Sequence, residues 1–163
     1  MQPITLDRKV WLVKRLLSVF VILIMIFSLV CCEEKVSADT LMSEFLRSYG
    51  IDGVVYSSSA KEGDDGYASG ELLSKLFIFE GDFPESYALL LNVRSDYGTE
   101  CGFFVCENEG EREQVIDMCE ERLSLLTRGE GGIIISRGRV VFYSSLSDSE
   151  RSENCARRVI SKH

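Results

Sequence analysis

The chain has 163 residues, 18 Lys and Arg against 26 Asp and Glu, a formal net charge of −8, six Cys and a single His. An acidic surface with no basic stripe repels nucleic acid and anionic lipid headgroups. The one His is the terminal His163, which leaves no His general base, no Ser-His-Asp or Cys-His pair and no His-rich zinc site to be read.

The first 15 residues, MQPITLDRKVWLVKR, carry Arg8, Lys9, Lys14 and Arg15 against Asp7. They precede an uncharged run from Leu16 to Cys32, LLSVFVILIMIFSLVCC, which as a helix would reach about 25 Å. Positive residues stay inside, so the C-terminal part is expected to face out. The run is longer than a usual signal-peptide core and slightly short of a full span, although Trp11, Lys14 and Arg15 could anchor it at the interface. Three processing outcomes stay open. Leu29-Val30-Cys31-Cys32 has the form of a lipobox that would lipidate Cys32, Val36-Ser37-Ala38 has the small-x-Ala form of a cut site, and the segment could persist as an anchor helix. Residues 1–38 are therefore expected to form a signal sequence or membrane anchor, and 39–163 an extracytoplasmic domain. Residues 1–38 hold five of the 18 basic and three of the 26 acidic residues, so the remainder carries a net charge of about −10. Its length suits one domain.

In DTLMSEFLRSYG, Leu41, Met42, Phe45, Leu46 and Tyr49 recur at helical spacing between a cap at Asp39 or Thr40 and a stop at Gly50. A brief strand is expected around Val54 to Ser57, followed by a polar loop from Ala60 to Gly70. SGELLSKLF, from Ser69, places Leu72, Leu73, Leu76 and Phe77 on a short helix, and Pro84 marks a turn. YALLLNVRS and CGFFVCE, separated by DYGT, predict an antiparallel hairpin. NEGEREQVIDMCEERLSLL predicts a helix of four to five turns with Val115, Ile116, Cys119, Leu123 and Leu126 inward, stopped by TRGEGG. IIIS and VVFYS flank Arg137-Gly138 as a second hairpin, with glycine supplying the turn's positive φ. SDSERSENCARRVISK predicts a last helix, capped by Ser147 or Asp148, with Cys155, Ala156, Val159 and Ile160 inward.

Two hairpins, each followed by a helix, after an exported N-terminus and a short leading helix, resemble the uncharacterised bacterial family called domain of unknown function 4358. ECGFFVCENEGEREQVIDMCEERLSLL, IIISRGRVVFYSS and the closing helix carry the likeness. The resemblance implies an exported, usually lipid-anchored α+β domain and transfers no catalytic residue.

The chemistry-bearing residues each have a plain structural account. Glu109, Glu111 and Glu113 alternate at a helix start, where acids favour the positive helix end and residues two apart do not share a face. Arg137 and Arg139 flank a hairpin tip, able to grip an anion or simply to guard an edge strand. KEGDDGY lacks the oxygen spacing of a calcium loop, and RGEGG has no Lys-Ser/Thr and precedes a strand, so neither a metal loop nor a phosphate loop is read. Cys101, Cys106, Cys119 and Cys155 form no CxxC pair. With the long helix expected over the face of Cys101 and Phe103, Cys101 is the one plausible strand partner for Cys119, while Cys106 lies opposite by parity. Helix-on-sheet spacing near 10 Å argues against a bond, so four free thiols are expected.

The expected architecture is α+β, a four-stranded antiparallel sheet with helices on one face, after an N-terminal membrane segment. No catalytic, metal or cofactor-binding residue is assigned, no cofactor is implied, and Cys32 is a candidate only for lipidation. The function expected is a membrane-tethered extracytoplasmic binding or scaffolding module contacting an envelope protein or glycan. The alternative is an envelope enzyme working with carboxylates and no His, such as a glycan-acting one.

Overall fold

A computed structural model describes residues 36–80, 83–91, 99–127 and 132–163. The predicted membrane segment, with Cys31 and Cys32, lies outside the described residues, as do most of DYGT and TRGEGG. Among the described residues no helix is long and apolar enough to cross a membrane. One compact unit runs from Val36 to His163.

Helix α1 spans Ala38–Tyr49 and ends on Gly50 at φ 78°, whose N–H returns to Leu46 O. Its cap is Ser37 rather than Asp39 or Thr40, because the Ser37 hydroxyl accepts the Thr40 N–H at 3.1 Å. Ala38 is consequently inside the helix and 1% exposed. Strand β1 is Val55–Ser57. Helix α2, Gly70–Phe77, is capped by Ser69 and closes on Ile78, a β-branched residue at φ 54°. Strands β2 (Tyr87–Leu90) and β3 (Cys101–Val105) precede the long helix α3, Glu109–Thr127. Strands β4 (Ile133–Arg137) and β5 (Val140–Ser144) form the second hairpin, with Gly138 at φ 58° in its turn, before helix α4, Ser149–Ile160.

Among the described residues the sheet has five strands, not four, in the order β1-β2-β3-β5-β4, every neighbouring pair antiparallel. The brief strand at Val55 joins because it pairs with Leu90, extending the ladder beyond the first hairpin. The edges are β1 and β4. Helices cover both faces, where packing on one face was expected. Phe45 of α1 lies against Phe103 and Phe142, with α4 completing that layer through Cys155, Ala156 and Val159. Across the sheet, Phe77 of α2 and Val115, Met118 and Cys119 of α3 pack on Leu89, Phe104 and Tyr143. The cause lies in the strands. All residues of β2 and β5, and four of the five in β3, are buried, instead of every second one, and strands apolar on both sides need cover on both.

Gly102 sits between the cross-strand partners Leu89 and Tyr143. A Cβ there would fall 2.5 Å from an atom of each, so the position accommodates no larger residue as packed. This close fit lets the Tyr143 ring lie across the sheet's centre, where its hydroxyl enters a polar cluster.

Candidate functional site

The cluster begins with Glu100, immediately before β3 and 1% exposed. Arg122 of α3 grips it bidentately, Nε to Oε1 and Nη2 to Oε2, each at 2.8 Å. The Arg122 Nη1 donates to Leu76 O at 3.0 Å and its guanidinium lies 5.5 Å from the Phe77 ring centre. The Tyr143 hydroxyl donates to Glu100 Oε1 at 3.0 Å. Burial, and then the Glu100 charge, push the Tyr143 hydroxyl well above its usual pKa, which keeps it a neutral donor. Charge-assisted, bidentate bonds of this kind are the strong ones. They join α2, α3, β5 and the start of β3, and leave the cluster satisfied and engaged in the fold.

A different place is open. Between edge strand β4 and the end of α4 runs a groove of about 350 Å³ lined by Ile135, Arg137, Arg157, Arg158, Ile160 and Ser161. Arg157 pairs with Glu153 at 2.8 Å, but their side chains are 60% and 42% exposed, and such pairs contribute at most about 1 kcal/mol. The guanidinium groups of Arg137 and Arg158 have no ion-pair partner among the described residues. Arginines in the last turn of a helix are favoured by its negative end, which accounts for Arg157 and Arg158. It does not account for Arg137, which arrives from another element. On a chain of net charge −8 the groove gathers three cations over the apolar Ile135 and Ile160.

A second groove, about 470 Å³, is lined by Ser48, Asp148, Glu150, Arg151, Asn154, Cys155 and Arg158. Several of its polar groups serve the fold. Asp148 Oδ1 accepts the Arg151 N–H at 3.0 Å as helix cap, Arg151 Nη2 donates to Tyr49 O at 2.6 Å, and Ser48 donates to Cys155 Sγ at 3.5 Å.

The residues singled out in the sequence are dispersed. Arg137 enters the first groove, whereas Arg139 turns away and donates through Nε to Cys106 O at 2.6 Å, so the two do not form a pair. Asn108 Oδ1 accepts the Glu111 N–H as a helix cap, the Glu111 carboxylate accepts the N–H of Glu107 just before it, and Glu109 pairs with Arg112 at 2.7 Å. In KEGDDGY, Asp64 accepts the Lys61 N–H, closing a turn. No group of three or more His, Cys, Asp or Glu among the described residues is placed to hold a metal ion. His163 is not loose. Its Nε2 lies 3.4 Å from Glu44 Oε1 beside the 2.7 Å Lys162–Glu44 pair, whose hydrogen bond lowers the Glu44 pKa.

The four described cysteines are free and buried. The expectation that α3 covers the face of Cys101 is corrected. Cys119 shares its core with Cys106, and Cys101 lies in the core on the other side. Strand parity places Cys101 with Phe103 as expected, but α3 packs over Phe104. Burial pushes the Cys106 thiol up to about 11 and those of Cys101 and Cys119 upward as well, which makes them poor nucleophiles.

Glu100, Arg122, Arg157 and Arg158 were not singled out in the sequence. For Arg122 a signal existed, since it follows Met118 and Cys119 by four and three residues on the buried stripe of α3. No family model, no curated protein and no solved structure matches this chain.

Proposed function

We propose that this chain is a membrane-tethered extracytoplasmic binding module that holds an anionic partner in the groove between β4 and α4. The observation that carries the reading is the convergence of Arg137, from β4, with Arg157 and Arg158, from α4, on a surface otherwise rich in acids. A guanidinium is planar, always charged and weakly hydrated, and suits bidentate recognition of carboxylate or phosphate. The tether rests on the basic-then-apolar order of residues 1–32 and on the resemblance to domain of unknown function 4358, carried by residue pattern alone. Among the processing outcomes, those that retain Val36 to Ala38 fit better. A cut after Ala38 would remove the Ser37 cap of α1 and the buried Ala38 methyl.

The carboxylate-enzyme alternative can draw on Asp148 and Glu150, which line one groove. Both belong to the start of α4, where an acid is favoured without chemistry, and Asp148 is committed to capping.

The test uses the full chain in detergent micelles, titrated calorimetrically with inorganic phosphate and with acidic peptides at low and high salt. Salt-sensitive binding that Arg158→Glu abolishes while the melting profile is unchanged is expected. Equal binding by this variant would overturn the assignment to this groove. Intact-mass measurement of the membrane-extracted protein is expected to show Cys32, diacylglyceryl-modified, or Met1 as the first residue. Asp39 first, or recovery of the full-length chain in the cytosol, would overturn the tether.

A further inference from the structure

The arginine groove does not stand alone; its rim is the outer edge of the sheet. We propose that the partner is an acidic polypeptide segment that docks in extended form as a sixth strand along β4, with acidic side chains at alternate positions over Arg137, Arg157 and Arg158. This rests on the groove reading above.

The two edges of the sheet differ. At β1 the Ser57 N–H already donates to Gly66 O at 3.0 Å, and Gly66 approaches Val55 O too closely to leave room for a Cβ. That edge is closed by the chain's own loop. At β4, Arg137 pairs with Val140 across the two-residue turn, the geometry in which partners exchange both hydrogen bonds. Alternation then directs the N–H and C=O groups of Ile134 and Ser136 away from β5. No described residue outside the β4–β5 ladder bonds to them. An added strand would satisfy those groups, and its side chains, alternating between faces, would stand on every second residue beside Ile135 and Arg137. The register of the sheet sets Ile135 and Arg137 on the face of Phe142 and Val140, the side packed by α4. One ligand geometry therefore uses both the unpaired backbone and the three arginines.

Charge selects the occupant. A second copy pairing β4 against β4 would be isologous and bring two sets of the same arginines together, a like-charge arrangement that disfavours the contact. A neutral glycan would leave Arg137 and Arg158 without counter-charge. An extended peptide with Glu or Asp at every second position complements them and uses the edge.

The experiment takes the full chain in detergent micelles and a nine-residue peptide alternating Glu and Thr. Controls are the same peptide with Lys for Glu, a version with Pro at alternate positions, and inorganic phosphate. Binding is measured calorimetrically, and hydrogen exchange of residues 132–138 is followed by mass spectrometry. The Glu-Thr peptide is expected to bind and slow exchange of the Ile134 and Ser136 amides, while the Lys and Pro versions do neither. Arg137→Glu and, on a different element, Arg158→Glu should each weaken it by roughly tenfold or more, the scale of one lost charged hydrogen bond. Binding of the peptide and its Pro version alike, with no slowing, overturns strand addition while the anion groove stands. Absence of binding by every acidic peptide and by phosphate overturns both readings. Protection of the segment that rises with protein concentration, without peptide, assigns the edge to a second copy and overturns the proposal.

Discussion

Replacing Arg122 by Met tests how the core tolerates a buried charge. The substitution keeps the unbranched stem beside Phe77 but removes both 2.8 Å bonds to Glu100 and the 3.0 Å bond to Leu76 O. Glu100, 1% exposed, would retain on its carboxylate the 3.0 Å bond from Tyr143. Removing one partner of a buried pair costs about 3–5 kcal/mol, because an uncompensated charge stays behind. Glu100→Gln should cost less, about 1–3 kcal/mol, since it preserves shape and leaves the charge on Arg122, whose side chain is 12% exposed and can reach water. The double change Glu100→Leu/Arg122→Met removes both charges, and such replacements are often near neutral. It should therefore be more stable than Arg122→Met alone. The assay is urea unfolding followed by circular dichroism, with midpoints and slopes compared across the variants. A cost below about 1 kcal/mol for Arg122→Met, or a double variant no better than that single one, would refute the view that Glu100 depends on its arginine.

Ile78 holds a left-handed conformation at φ 54° with 59% of its surface exposed, so Ile78→Asn should stabilise the protein by about 1 kcal/mol, read as a higher urea midpoint; destabilisation would mean its side chain packs more than its exposure implies. Gly102→Ala should cost about 1–3 kcal/mol, since the new methyl meets Leu89 and Tyr143 at 2.5 Å, and a neutral outcome in the same assay would contradict that fit. Raised thiol values give an alkaline limb. Cys106 moves from 9.0 to about 11, so the unfolded chain ionises first and stability should fall as pH rises across that interval, with Cys106→Ala flattening the slope in pH-dependent urea melts. Alkylation of the unfolded chain should label Cys101, Cys106, Cys119 and Cys155 equally with and without prior reductant, and a gain on reduction at any pair would show a disulfide.

The sequence announced elements more readily than their arrangement. Ser69 before GELLSKLF and the glycine of the second hairpin are local signals: the chain caps α2 on Ser69 and turns on Gly138, although the turn is made with Arg139 and Arg137 stays in β4. Cover on both faces is legible too, because YALL and VVFYS are apolar at consecutive rather than alternate positions, a pattern that outweighs the one-sided burial common in antiparallel sheets. The face over which α3 lies depends on packing beyond local pattern, so periodicity alone does not tell that Cys119 shares its core with Cys106 and not with Cys101. Arg137 stands out in the sequence beside a turn, while nothing local marks Arg157 and Arg158. Only the strand order, which makes β4 an edge next to α4, brings them together.

That strand order also bears on how the domain assembles. Each hairpin can form from neighbouring segments, but β3 meets β5 only after the chain has passed through α3 and β4, Cys101 finally opposing Ser144. Loop closure of this kind slows folding more than local pairing does. Until the two halves dock, β3 and β5 are bare edges of two strongly apolar strands, CGFFV and VVFYS, with no charged residue of their own to guard them. The half-assembled chain is thus the aggregation-prone species. Joining β3 to β5 removes both exposed edges in one step, so a destabilising change at Gly102 should lower yield during refolding more than its effect on the finished fold alone would suggest.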